Sequence, residues 1–457
     1  MRSITYLILF LLLPLSSLAT HNRSGSISYV HLYGTTYEFT VTTCTKFPTE
    51  ADRPELEVRW GDGSIDTLPR STRDTVEVYN VQKNTYIGIH TFTGPDSYII
   101  EVEDPNRNSG VNNITNSVDK VFCIQTELII SPFMGSPNNS LIIEDCPCPE
   151  FACVNRIYCY NVSAYDPDGD SLSYALVPCR GENCLEMSIP AIYQWPQDVG
   201  GGVMSIDPVT GTMCWDSPAV KGEYNIAIKI SEYRNGFYVG SVIQDMQFTV
   251  VDCAYDPPLV EDLPDTCVFA GSSLSLTVTG SDPANGITVS ATGAVFSLPD
   301  NPAIFIEDSG SEDATGVFLW NPECAEASAT YYTVNVHAKN NHPEHQITVF
   351  SSFRIKVNLP PIENLTVVNL TTVNETASVI FSSGSNRFGD FGDDTHQFTG
   401  SVSITGSLDV DGKLNATASH AISASYVENG DNLKLIYYFP KENYKKIEEF
   451  KKSLNLA

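Results

Sequence analysis

Positive charge is scarce in this sequence. Lysine and arginine number 26 against 55 acidic residues, a formal net charge of −29. Nucleic acid needs a basic face for its phosphates, so that class of partner is excluded. Histidine is sparse as well, at 8 in 457 residues. His342-Pro343-Glu344-His345 has neither zincin spacing, and no G-x-S-x-G elbow or phosphate-binding glycine loop occurs. No catalytic residue is therefore assigned. Beyond the N-terminus no segment reaches ~18 consecutive apolar residues, so no transmembrane anchor is expected. Helical periodicity is missing from the middle of the chain. The acidic excess fits a well-solvated exported protein or a binder of divalent cations.

What is present begins with a secretory signal. Arg2 supplies the positive end, Tyr6 to Leu15 the apolar core, and Ser17-Leu18-Ala19 a small-residue cleavage site. A unit of roughly 100 residues then occurs twice. The first copy runs from Cys153-Val154 through Asp166-Pro167, Gly211 to Trp215 and Tyr224 to Ile230, and closes on Phe248 to Val251 before Pro257-Pro258. The second runs from Cys267-Val268 through Asp282-Pro283, Gly316 to Trp320 and Tyr332 to His337, and closes on Phe353 to Val357 before Pro360-Pro361. Short alternating strands punctuated by Asp-Pro, Asp-Gly and Gly predict β-sandwiches. Trp215 and Trp320 share one repeat position and are expected in the cores rather than stacked on sugars. His90 is expected to pack at a strand end.

Twelve cysteines in an exported chain read as disulfides. Cys44–Cys123 and Cys267–Cys324 are expected, because each pair brackets one domain that holds no other cysteine. Cys179 and Cys184 bracket a loop short enough to close locally. Cys146, Cys148, Cys153 and Cys159 match no common zinc template, and connectivity among these four, Cys214 and Cys253 stays open. Eight Asn-x-Ser/Thr sequons, Asn113, Asn161 and Asn364 among them, matter only in a eukaryotic secretory route.

Asp166, Asp168 and Asp170 place three carboxylates within five residues around Gly169. Ca2+ takes ~6–8 oxygens, and clustered aspartates supply them. Position twelve of the run is Val177, so it is not an EF-hand. Glu232 and Asp252 are the expected additional ligands. Ala284 and Asn285 weaken the same place in the second copy.

Residues 20–127 carry Trp60-Gly61-Asp62-Gly63, His90-Thr91-Phe92 and the strand Tyr98 to Glu103, with Tyr98, Ile100 and Val102 facing a core. This combination resembles the PKD domain. The Asp166–Tyr174 run, with Ile206-Asp207-Pro208 and Gly222-x-Tyr224, resembles cadherin-like bacterial sandwich modules. With the mature start Ala19-Thr20-His21-Asn22-Arg23, the chain as far as Pro361 resembles secreted surface proteins of gliding Bacteroidetes that use type IX secretion. Residues 388–426 resemble the stem repeats of phage tail fibres, which implies trimerisation through the tail. Tyr444, Ile447, Phe450 and Leu454 share one face of a terminal helix.

The expected fold is all-β: tandem immunoglobulin-like and cadherin-like sandwiches with an irregular β-rich tail and a short terminal helix. The expected divisions are the signal 1–19, a PKD-like sandwich 20–127, cadherin-like sandwiches 128–253 and 254–359, a linker 360–387, a fibre-like segment 388–430 and a terminal strand and helix 431–457. The function implied is a non-catalytic secreted or surface protein for adhesion, with an extracellular polysaccharide or a surface protein as partner. The alternatives are the binding arm of an exported polysaccharide-degrading system and a phage receptor-binding fibre.

Overall fold

Inward and outward side chains alternate along most strands, the mark of sheets with one face on a core. In the computed structural model, the described residues are 22–48, 52–76, 80–143, 150–328, 330–343, 345–360, 417–418 and 436–437. The fold is all-β, and the α-helix among the described residues is the single turn Pro196–Gly200. Residues Met1–Leu365 and Thr366–Ala457 form two separate units. In the second, Thr417–Ala418 pairs in parallel with Ile436–Tyr437. The signal segment, the linker, the fibre-like repeats apart from these four residues, and the terminal helix lie outside the described residues.

The first sandwich is built from β1 (Asn22–Tyr33), β2 (Thr36–Lys46), β3 (Glu55–Arg59), β4 (Ile65–Val76), β5 (Val81–Thr91), β6 (Asp96–Asp104) and β7 (Phe122–Ile130). They pair in the order β1-β2-β5-β4-β3-β6-β7. Tyr29, Phe39, Val41, Trp60, Tyr86, Ile100 and Ile124 fill its core. The Trp60 turn closes as its residues dictate. Gly61 and Gly63 take φ of +82° and +90°, and a Cβ on Gly61 would lie 2.6 Å from the Ile99 carbonyl oxygen. Trp60 stacks on His90 at 4.7 Å, and His90 Nε2 lies 2.8 Å from Asp62 Oδ2.

The sheet does not stop at β7. Strand Phe237–Val251 pairs with β7 at residues 240–242, bridges β1 at Gly25–Asp245, and forms a long hairpin with Gly222–Arg234. That hairpin, with Ser171–Val177, is one sheet of the second sandwich. The division expected at 127/128 therefore falls inside a strand that both sandwiches use. Gly240 permits this approach: a Cβ there would meet Glu232 Oε2 at 2.7 Å and Tyr29 Oη at 2.8 Å.

Across the second core stand Tyr158–Asn161, Thr212–Asp216 and Val203–Ile206. The third sandwich, residues 259–358, opposes a four-stranded and a five-stranded sheet. The repeat is visible in detail. Trp215 and Trp320 are 0% and 2% exposed. Each indole donates to a backbone carbonyl, Gly201 at 2.8 Å and Asn301 at 2.9 Å. Each also meets a tyrosine edge-on, Tyr224 at 4.9 Å and Tyr332 at 5.2 Å.

The disulfides correct three expectations. Among the described residues the pairs are Cys123–Cys184, Cys153–Cys253 and Cys159–Cys214. Cys123 does not pair with Cys44, because β7 borders the second sandwich and reaches the turn at Glu182–Cys184; Cys44 is disulfide-bonded otherwise. Cys184, drawn to β7, leaves Cys179 a buried free thiol, so the local loop does not close. Cys267 and Cys324 are both free and exposed. Strand Thr266–Phe269 turns Val268 into the core and hence Cys267 outward.

Candidate functional site

The acidic run forms the turn between Ala164–Tyr165 and Ser171–Val177. Asp166 Oδ1 accepts the backbone N–H of Asp168 at 2.8 Å and of Asp170 at 3.1 Å, which pulls the three carboxylates to one side. Their oxygens lie within 4.8 Å of one another. The register Leu172–Glu232 and Ser171–Tyr233 carries Glu232 and Arg234 to the same place. Of the five expected ligands, the three aspartates converge, and Glu232 lies near enough to feel Asp166 and Asp170 but is not part of their group. Asp252 does not converge: it sits at the far end of the hairpin, paired with Lys221. Ten strand positions, roughly 30 Å, separate the two ends.

The cluster already contains a cation that sequence reasoning did not assign. Arg234 donates to Asp170 at 2.7–3.1 Å, to Asp168 at 2.8 Å, to Asn138 Oδ1 at 2.9 Å and to the Ser136 carbonyl at 2.9 Å. Charge-assisted and multidentate, these are bonds of the strong class. Glu232 is fully buried; it accepts Asn138 Nδ2 at 2.9 Å and the Leu141 N–H. Burial, reinforced by Asp166, pushes Glu232 up to about 8. Burial, with Asp170 and Asp168 nearby, pushes Asp166 up to about 7. The three aspartates are spaced as a cation group, and no ion is present. Asp168 and Asp170 are engaged by a guanidinium, and Glu232 is closed off. In the second copy, Asp282 Oδ1 accepts the N–H groups of Ala284 and Asn285 at 3.0 Å, an aspartate-led turn one residue longer and without the extra acids.

Around this centre the first two sandwiches are tied through the segment after β7. Asn138 Nδ2 also donates to Tyr29 Oη at 3.1 Å. Asn139 donates to Asp168 through N–H and Nδ2, and its Oδ1 accepts the His31 N–H. A second buried tie is Arg107–Asp245, with side chains 0% and 1% exposed. Its two bonds are 3.0 and 2.7 Å, and Arg107 also donates to the Arg180 carbonyl at 2.8 Å and lies over Phe122. One signal for it was in the sequence: Asp245 is the lone acid in the fully buried stretch Val239–Phe248, and such a charge demands a partner. Nothing singled out Arg107 as that partner.

The described sequon asparagines Asn22, Asn113, Asn138 and Asn161 are all buried, 0–2% exposed, and their amides bond within the fold. Asn364 lies outside the described residues. His337 is buried, with Nε2 2.9 Å from Thr292 Oγ1. It packs on Phe350, which also meets Tyr160, and reaches Ser163, so it sits where the second and third sandwiches meet.

No family model and no curated protein matches the chain. Solved structures similar to it include a three-immunoglobulin structure of titin in an E-to-A mutated variant, at 12% identity, 73% of this chain, 99% of that chain and TM-score 0.17. Zebrafish RET cadherin-like domains 1 to 4 are similar at 12%, 75%, 74% and 0.19. Drosophila N-cadherin EC1–3 is similar at 11%, 68%, 92% and 0.19. The fold assignment rests on the strand pairing above.

Proposed function

We propose that this chain is a non-catalytic extracellular adhesion protein, exported with loss of residues 1–19 and displayed at or released from a cell surface. The observation that carries the reading is the cross-linked tandem. Disulfides join strands within the second sandwich and clamp it to the first, as suits an oxidising compartment. A scaffold held this way presents loops of fixed geometry to a partner. The partner proposed is an extracellular polysaccharide or a surface protein. The PKD-type first module, the likeness to gliding Bacteroidetes surface proteins and trimerisation through the tail belong to the same proposal. Calcium enters only by displacing Arg234 from Asp168 and Asp170.

The test is to label intact cells with antibody to the chain and to measure attachment of a gene-deleted strain. Surface labelling and reduced attachment are expected. An intracellular location, or attachment equal to the parent, contradicts the proposal.

A further inference from the structure

Phe133 is 95% exposed, Phe237 76% and Tyr33 70%. Among the described large apolar side chains only Leu259, at 71%, stands in the same range. The three aromatic residues belong to three different turns. Tyr33 is on the β1–β2 turn, Phe133 on the segment after β7, and Phe237 just past the Asn235-Gly236 turn of the long hairpin. These turns meet at one end of the first two sandwiches. Gly34 lines a shallow cleft with Pro132, Met134 and Gly135, and none of the three rings lines it. Arg234 donates to the Ser136 carbonyl and hydroxyl, both at 2.9 Å. Phe237 pairs with Arg234 in the register, so the two side chains leave the same face of the hairpin.

No charged residue occurs in Tyr33-Gly34-Thr35, in Ser131 to Pro137 or in Asn235-Gly236-Phe237, although 18% of the chain is charged. The nearest acids are engaged behind the tips, Asp168 by Arg234 and Asp96 by the Ser97 N–H at 2.8 Å. Exposed apolar groups gathered in one place mark an interaction site. Here they project singly, without a groove or a flat face between them. A rigid partner needs a separate hole for each ring, whereas a fluid bilayer closes around any projection. Tyrosine is enriched at the headgroup level, and phenylalanine reaches the acyl boundary. A charge on the same tips would resist entry.

We propose that this end of the protein docks on a zwitterionic lipid bilayer, with Tyr33, Phe133 and Phe237 inserted among the headgroups. A net charge of −29 opposes an anionic surface, which leaves the zwitterionic one. The inference goes beyond the adhesion reading, whose partners are a polysaccharide or a protein.

The test is flotation of the full chain with phosphatidylcholine vesicles, with and without phosphatidylglycerol. The parent floats with phosphatidylcholine alone. Binding falls roughly tenfold or more when Tyr33, Phe133 and Phe237 are all replaced by serine, because each loses an aromatic ring's worth of buried area. It is unchanged in Leu259→Ser, an equally exposed position elsewhere, and thermal melts of both variants match the parent. In Phe133→Trp the emission of the added indole shifts to the blue on vesicles. A parent that stays unbound, a triple variant that binds like the parent, an equal loss in Leu259→Ser, or binding that requires phosphatidylglycerol overturns the assignment. If vesicles are not bound but beads coated with the chain lose their grip on extracellular matrix in the triple variant, the tips hold a protein or glycan and the lipid assignment falls.

Discussion

Removing the Arg107 side chain tests how firmly the first two sandwiches are joined. Arg107 and Asp245 are shut away from solvent, and two direct bonds of 3.0 and 2.7 Å hold them. In Arg107→Ala the Asp245 carboxylate keeps an Asn225 Nδ2 contact at 3.3 Å but loses its counter-charge, and the Arg180 carbonyl loses its donor. Breaking a buried pair from one side costs about 3–5 kcal/mol. For a unit of this size each kcal/mol lowers Tm by roughly 2–4 °C, so the expected fall is roughly 6–20 °C. Replacing both partners, as Arg107→Met with Asp245→Leu, removes the stranded charge and restores most of the stability. Calorimetry of the full chain, followed by urea titration, reads both variants. A loss under about 1 kcal/mol in the single variant, or a double variant no better than the single, refutes the reasoning.

Four further outcomes follow from the same contacts. A fragment of residues 128–260 lacks all but the last three residues of β7, and Cys123 with them, so it stays unfolded by circular dichroism while residues 22–260 fold; a cooperative melt of the short fragment speaks against the shared strand. Glu232 and Asp166 titrate near 8 and 7 when folded and near 4 when unfolded. Their contribution is therefore fully present below about pH 4 and is lost as pH rises toward about 8, so melts of the parent minus Glu232→Gln lose their difference over that window; a difference that grows with pH is the wrong sign. Millimolar calcium leaves the Tm of the full chain unchanged because Arg234 holds Asp168 and Asp170; an upward shift that disappears in the triple Asp→Asn variant shows an ion displacing it. Expressed in a glycosylating host, the protein carries no glycan on Asn22, Asn113, Asn138 or Asn161, and mass spectrometry that finds one there contradicts their burial.

The parts of the fold legible in the sequence were those with a local signature. Period-two alternation placed Tyr98, Ile100 and Val102 inward, and they are 5%, 0% and 1% exposed. The repeat placed Trp215 and Trp320 at equivalent core positions, because each must satisfy one indole N–H and meet one tyrosine. What escaped was non-local. Assigning cysteines by domain assumed that strands belong to one domain each, and β7 belongs to two. The aspartate run was read by composition as a cation site. The register of Ser171–Val177 against the hairpin brings Arg234 into it, and a one-residue slip would have turned that arginine away. Asp252 lay near in sequence to the linker but is separated from the cluster by the length of a strand pair.

That the first two sandwiches act as one disulfide-clamped, exported unit is the claim on which the functional reading depends. Non-reducing peptide mapping of the secreted protein tests it most directly. The account predicts a mature start after residue 19 and the pairs Cys123–Cys184, Cys153–Cys253 and Cys159–Cys214, with Cys179, Cys267 and Cys324 as thiols. A Cys44–Cys123 bridge, or free thiols at Cys123 and Cys184 in a protein that retains Met1, contradicts it.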